Sequence, residues 1–318
     1  MAFGMGRGSP SVRKRSSYLQ RTWMLYAMLV PPIAFFVVFR YVPMGNIIIA
    51  FKEYSIFQGV LDSPWVWERD GRGVFHWFEQ AFQTPGFVRA LRNTIWLNLL
   101  DLVFGFPAPI ILAILLNELA FRRFKRITQT IVYLPHFISW IVISGMAVQL
   151  FAGGGVVNTM LHGAGLAPIP FLSEPRAWVA TFIGLGVWRG MGWGTIIYLA
   201  AITGINSELY EAAEVDGAGR WGKIWHVTLP GIRPTMVVLL ILNLGWMLGS
   251  EFDRYWAMLN PVVHHVGDVI NTFVFDRGIR SMDFSFTAAV GLFQSVVSVI
   301  FLLTANFLAK RLGERGIM

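Results

Sequence analysis

The chain has 318 residues, of which 55% are hydrophobic and only 14% charged, and it carries a formal net charge of +8. A soluble domain has about a quarter charged residues, so long apolar runs set this composition and point to a membrane protein. The absence of cysteine excludes disulfides, thiolate metal sites and cysteine nucleophiles.

A helix needs about 20 mostly apolar residues to cross a hydrocarbon core of about 30 Å. Six runs meet this length: residues 23–42, 94–116, 128–151, 178–202, 236–258 and 286–308. The expected fold is therefore an all-α integral membrane protein with six transmembrane helices. A basic tail, residues 1–22, precedes a membrane domain over 23–310, and residues 311–318 form a short second tail. Pro31, Pro32, Pro107 and Pro109 fall inside runs, where membrane helices accept them more readily than soluble ones. The first run follows basic residues, as a signal peptide does. It is long, carries Pro-Pro and lacks a small-residue cleavage pattern, so it reads as a retained span.

Basic residues orient the spans. Fifteen of the 26 Lys and Arg lie on one side of a six-span chain. They are Arg7, Arg13, Lys14, Arg15 and Arg21 before the first run, and Arg122, Arg123, Lys125 and Arg126 between the second and third. Arg220, Lys223 and Arg233 follow the fourth run, and Lys310, Arg311 and Arg315 follow the sixth. The positive-inside rule puts both termini in the cytoplasm, and an even number of spans agrees. With no soluble basic domain, these clusters read as topology signals and no nucleic-acid partner is expected.

Between the fourth and fifth runs stands "EVDGAGRWGKIW", residues 214–225. Gly217, Gly219 and Gly222 spell G-x-G-x-x-G, and with Lys223 most of a phosphate loop. A dinucleotide fingerprint follows a strand and precedes an acidic residue by about 20 positions. Here "SELYEAAEVD" reads as a helix, and an apolar run lies about 20 residues on. Ile224 stands where a phosphate loop needs Ser or Thr for magnesium. Both nucleotide readings fail, and the glycines serve a sharp turn and close approach to another surface.

The wider stretch "EAAEVDGAGRWGKIWHVTLP" resembles the cytoplasmic EAA loop of ATP-binding-cassette importer permeases. Glu211, Ala212, Ala213, Gly217, Val227, Leu229 and Pro230 fall on that pattern, with Val227 where Ile is usual. "YVPMGNIIIAFKEYSIFQGV", "LRNTIW", "YLPHFISWIV" and "NPVVHHVGDVINTFVFDRGI" resemble the subfamily that imports oligosaccharides and polysaccharide fragments. The likeness covers about residues 23–310. It implies the type I importer permease fold, in the bacterial inner membrane, with a coupling loop over about 204–234. There Glu211, Ala212, Ala213, Asp216, Gly217, Leu229 and Pro230 would serve contact with an ATPase. It further implies a second related permease, two cytoplasmic ATPase subunits holding ATP and Mg, and an extracytoplasmic solute-binding protein. The chain itself would hold no cofactor and no catalytic residue, and would take up an oligosaccharide by alternating access.

Polar residues inside spans are functional candidates. Gly186, Gly190 and Gly194 repeat every fourth residue and form a ridge for close helix contact. Arg189 and Trp193 share an adjacent face. In the fifth run, Asn243, Trp246, Met247 and Ser250 follow one helical face. The expected substrate path comprises Arg189, Trp193, Asn243, Trp246, Ser250 and Asp101. Asp101 in the second run offers Arg189 a counter-charge, and internal pairing and substrate contact both remain open there. Arg189 and the resemblance lean toward a uronic-acid-containing sugar. Glu251, Asp253 and Arg254 are placed near the outer end of the fifth run. Trp65, Trp67, Trp77 and Phe78 read as an interfacial strip. His136, His264 and His265 lack the surrounding ligands of a metal site. The alternative function is a stand-alone secondary carrier or channel for a polar solute, which calls for ion-coupling residues and usually repeats; no convincing repeat is evident. A glycan enzyme would need a catalytic acidic cluster, and none stands out.

Overall fold

A computed structural model describes residues 11–68, 71–249, 251–313 and 316, with side chains from Thr22 onward apart from that of Arg122. Arg7, Ser250 and Arg315 lie outside the described residues, as do the side chains of Arg13, Lys14, Arg15 and Arg21. Among the described residues the regular structure is helical, with one isolated antiparallel bridge between Lys52 and Trp65. Two compact units divide the chain at Val74.

The first unit contains helix α1, Ser11–Phe36, which continues through a π-turn over Val37–Tyr41. Thr22–Phe51 is long and apolar enough to cross a membrane, and its side chains from Met24 to Met44 are exposed. Such a surface needs lipid or a partner around it. Beyond it, buried Lys52 donates from Nζ to the carbonyls of Leu61 (2.8 Å) and Ser63 (3.0 Å). Its ammonium lies 4.7 Å from the ring of Trp65, which stacks on Trp67. Trp65 and Trp67, two of the residues expected in an interfacial strip, thus close a local turn here.

The second unit contains α2 (His76–Gln83), α3 (Pro85–Gly105), α4 (Pro107–Glu118), α5 (Arg122–Tyr133) and α6 (Trp140–Phe151). It continues with α7 (Pro175–Thr203), α8 (Ser207–Val215), α9 (Arg220–Lys223), α10 (Leu229–Gly245), α11 (Phe252–Met258) and α12 (Phe284–Arg311). Among the described residues five segments, Thr22–Phe51, Pro85–Glu118, Trp140–Gly163, Arg220–Gly245 and Phe284–Arg311, are long and apolar enough to cross a membrane. The fourth expected span is α7, whose 29 residues extend about 43 Å. Its glycines, tryptophans and Arg189 leave it less apolar than the other five.

Two expected spans are interrupted. The third, expected over 128–151, ends as a helix at Tyr133, tightens through Leu134–Phe137 around Pro135, and restarts at α6. Ser139 caps the new start by accepting from the Val142 N–H. The fifth, expected over 236–258, stops at Gly245, where α10 approaches Leu302 of α12 too closely for a side chain. A turn anchored by buried Leu248 follows before α11. The Gln294 amide from α12 donates to the Leu248 carbonyl, satisfying part of the freed backbone.

Helix α7 is the central post, packed against α3, α4, α5 and α10. Its first half joins Leu97, Trp140, Tyr255 and Met258 around Trp178 and Phe182, and its second half joins Ile110, Leu116 and Ile232 around Tyr198 and Ile202. Close approach is possible because a Cβ on Gly192 would fall on the Val132 carbonyl of α5, and one on Gly194 would meet Pro109 of α4.

Candidate functional site: a membrane cavity and an exposed loop

Two places concentrate the candidate residues. The first is the loop from α7 to α10. Asn206 caps α8 by accepting from the Glu208 N–H at 3.1 Å. The helix ends at Val215, and Gly217 takes a left-handed φ of +79°. The Gly217 N–H reaches the Glu214 carbonyl (3.0 Å), and the Ala218 N–H reaches back to that of Ala213 (2.8 Å). These are the paired bonds of a Schellman stop, which favours glycine at this position.

Two side-chain contacts fold the loop on itself. Lys223 Nζ donates to Glu214 at 2.6 Å, and the Tyr210 hydroxyl lies 3.0 Å from that of buried Thr228. The exposed Glu214 carboxyl is held below the usual carboxylate range by its bond to Lys223 and the charge there. Glu211, Ala212 and Asp216 are exposed and Ala213 is half-buried. Leu229 packs into the core around Tyr198, while Pro230 is exposed beside it. Leu209, Val215, Trp221 and Trp225 present large apolar side chains outward.

The second place is a cavity of about 380 Å³. Asn98 and Asp101 of α3 form one wall, and Gly186, Gly190, Gly194 and Tyr198 of α7 another. Asn243 of α10, Trp246 and Met247 of the turn, and Glu251 and Arg254 at α11 close it. Trp246 is 72% exposed, so its indole stands in the opening and not in the core. The predicted face of Asn243, Trp246 and Met247 is thus gathered at the cavity by a helix end followed by a turn. The glycine ridge is split: Gly194 takes close contact with α4, whereas a Cβ on Gly190 would meet nothing within 4 Å.

The interior charges pair differently from expectation. Asp101 does not meet Arg189; it binds Arg254 through two hydrogen bonds of 2.6 and 3.0 Å. Arg254 also donates to the Phe182 carbonyl at 2.9 Å, with its guanidinium 4.0 Å from the Phe182 ring. Arg189 stands outside the cavity lining, where it donates to the Ile138 carbonyl (3.1 Å) and lies 4.8 Å from the Trp140 ring. Glu251 accepts from the Trp140 indole (2.8 Å) and sits 3.8 Å from Arg189. Trp193 also stands outside the lining, stacked on His136 at 4.6 Å. The break after Gly245 is the reason: it turns Arg254 inward, whereas an unbroken span would have carried it to the outer end. The signal in the sequence is "LGSEFDR", glycine and charge where an apolar run should continue. Among the described residues no cluster of three or more His, Asp or Glu could hold a metal.

Residues 105–314 match the model of the family described as the binding-protein-dependent transport system inner membrane component. The chain belongs to this family. Its likeness extends beyond the matched residues. It is 41% identical over 300 residues to Protein LplB of Bacillus subtilis, covering 94% of this chain and 92% of that one. It is 42% identical over 294 residues to the polygalacturonan/rhamnogalacturonan transport system permease protein YteP of the same organism, covering 92% and 89%. The solved bacterial alginate ABC transporter, in complex with its alginate pentasaccharide-bound periplasmic protein, includes a chain that aligns with a TM-score of 0.84 and 38% identity. That alignment covers 95% of this chain and 99% of the other. The fold is the type I permease fold, and the chain is the membrane permease of an ABC importer.

Proposed function

We propose that this permease carries an acidic, uronic-acid-containing oligosaccharide or polysaccharide fragment inward by alternating access, driven by ATP hydrolysis on other subunits. The observation that carries the reading is a single helix. Helix α10 begins at the exposed loop and ends, 17 residues later, at the cavity wall. Its length of about 25 Å joins the two places that the chemistry requires. Exposed Glu211 and Ala212, with the apolar side chains around them, form the surface on which an ATPase subunit would seat, and Glu211 can accept a charge-assisted bond there. Gly217 lets α8 stop and the chain turn back. Leu229 and Pro230 join α10, through a π-turn over Ile224–Thr228, to the helical turn that begins at Arg220, so a push on the loop would reach Trp246 and Asn243.

In the cavity, the Trp246 indole offers a face for a sugar ring, and the Asn98 and Asn243 amides can bond hydroxyls. The acidic class rests on the relatives, one named for polygalacturonan and one solved with alginate, described as an acidic polysaccharide. Arg189 gives it no support, since its guanidinium stands off the cavity. Two ATPase subunits carrying ATP and Mg, a second related permease and an extracytoplasmic binding protein complete the importer, with both termini of this chain in the cytoplasm.

The test is co-purification of the tagged chain in mild detergent, with wild type and Glu211→Lys in parallel, followed by ATPase assay with the binding protein and acidic oligosaccharide. Wild type should bring down an ATPase and a second permease, and Glu211→Lys should lose most of the ATPase. A chain that runs alone overturns the reading in favour of a stand-alone carrier.

A further inference from the structure

Resting on that uptake reading, we propose that Arg254 is a carboxylate receptor masked by Asp101, and that an acidic sugar engages it by taking the place of Asp101. Among the described residues Arg254 is the one basic side chain that lines the cavity, and two carboxylates, Asp101 and Glu251, line it as well. Arg189 lies 3.8 Å from Glu251 and offsets its charge, so with the Asp101–Arg254 pair closed the wall offers an anionic sugar no free positive charge. The anion gains a favourable site only when Asp101 releases the guanidinium.

The two partners are not equally free to move. Arg254 is built in: its side chain is 8% exposed, its Nη2 donates to the Phe182 carbonyl, and its guanidinium rests against the Phe182 and Trp140 rings. Gly186 makes its room, since a Cβ there would land on the guanidinium. Asp101 is 23% exposed and is held through Arg254. The arginine stays and the aspartate leaves.

The geometry also sets the selectivity. A planar guanidinium is matched by a carboxylate through two parallel bonds. A uronate can reproduce both bonds that Asp101 makes, while a neutral hydroxyl supplies one uncharged acceptor. Exchange has a mechanical consequence as well. Asp101 lies on α3 and Arg254 on α11, so substitution of the sugar for Asp101 unties those helices at the end of α10. Substrate then favours the conformer in which the tie is open.

The experiment measures equilibrium binding of a short oligogalacturonate, and of its carboxyl-reduced neutral form, to the complete permease–ATPase assembly without the binding protein. Asp101→Asn should tighten the acidic ligand by about tenfold, toward the low end of what close charge pairs contribute. Glu251→Gln, which removes the carboxylate that lies beside Arg189 and is not bonded to Arg254, should tighten it by no more than about twofold. Arg254→Lys keeps the charge but loses the fork, and should weaken the acidic form alone. Equal shifts from Asp101→Asn and Glu251→Gln would reduce the effect to wall charge and overturn the exchange. Parallel changes for the acidic and reduced forms would make the pair purely structural. If Asp101→Asn fails to assemble, Arg254→Lys decides by the same criterion. Stimulation of the wild-type ATPase by oligogalacturonate with the binding protein reports on the uptake reading separately; its absence overturns both.

Discussion

The loop between α7 and α10 and the cavity wall are built over very different sequence distances. In the loop, the Schellman bonds at Gly217 span five residues or fewer, and Glu214 and Lys223 are nine apart. At the cavity, Asp101 and Arg254 are 153 residues apart, and Trp140 and Glu251 are 111 apart. The loop turns its apolar side chains outward, where a partner can cover them. The wall turns its charges inward, where each must be matched within the chain. A local motif can be exposed and still well formed, because its backbone bonds close within one turn. An interior charge has no such independence, and one misplaced helix end changes its partner.

Removing one interior charge should therefore have the largest effect. Arg254→Ala leaves the Asp101 carboxylate without its counter-ion among apolar neighbours, and should cost about 3 kcal/mol of stability, the usual penalty for breaking a buried pair from one side. Thermal unfolding of the purified protein in detergent would read it as a lowered midpoint. Adding Asp101→Asn should return part of the loss, because the two positions share one interaction. A single variant that melts within the range of exposed pairs, about 1 kcal/mol or less, would show the wall to be as solvated as the loop. The contrast between the two regions would then fall.

The glycines of α7 sharpen the same contrast inside one helix. Gly192 is closed by the Val132 carbonyl of α5, whereas Gly190 faces the cavity with nothing within 4 Å of an added Cβ. Gly192→Ala should cost about 2 kcal/mol by pushing α5 off α7. Gly190→Ala gains helix propensity and should stay within about 0.5 kcal/mol of wild type. Melting of the two variants side by side checks it, and equal losses would mean that α7 is packed uniformly around its circumference.

Legibility followed the range of the interaction. The membrane class, the positions of the apolar runs and the glycine stop at residue 217 are properties of neighbouring residues, and they could be read directly. The ends of the third and fifth expected spans could not, because hydropathy does not register a helix break. Pro135 with Ser139, and Gly245 with Gly249, carried that signal within runs that otherwise stayed apolar. The pairing of Asp101 with Arg189 was the natural choice for two unbroken spans. The break after Gly245 brings Arg254 nearer and leaves Arg189 to the Ile138 carbonyl and the Trp140 ring. Gly192 escaped for a related reason: it is off the four-residue ridge, and only the position of α5 makes it the tightest contact.

The smallest effect belongs to the loop and separates it from the wall by its response to pH and salt. The bond from Lys223 holds the Glu214 carboxyl below its ordinary value. A carboxylate depressed in the folded state contributes to stability above its unfolded value of about 4, and loses that contribution as pH falls through the folded value. The loop clasp should thus be complete at neutral pH and open only in acid. Glu214→Gln should match the acid-opened wild type at every pH. Hydrogen exchange of the amides of residues 213–223 would follow the clasp, with faster exchange in Glu214→Gln at neutral pH and convergence with wild type in acid. Because both groups are at the surface, added salt should narrow the neutral-pH difference. The Asp101–Arg254 pair, withdrawn from solvent, should not respond to salt in the same range. If the loop amides ignore both pH and Glu214→Gln, the Gly217 stop and the Tyr210–Thr228 contact hold the loop without the ion pair.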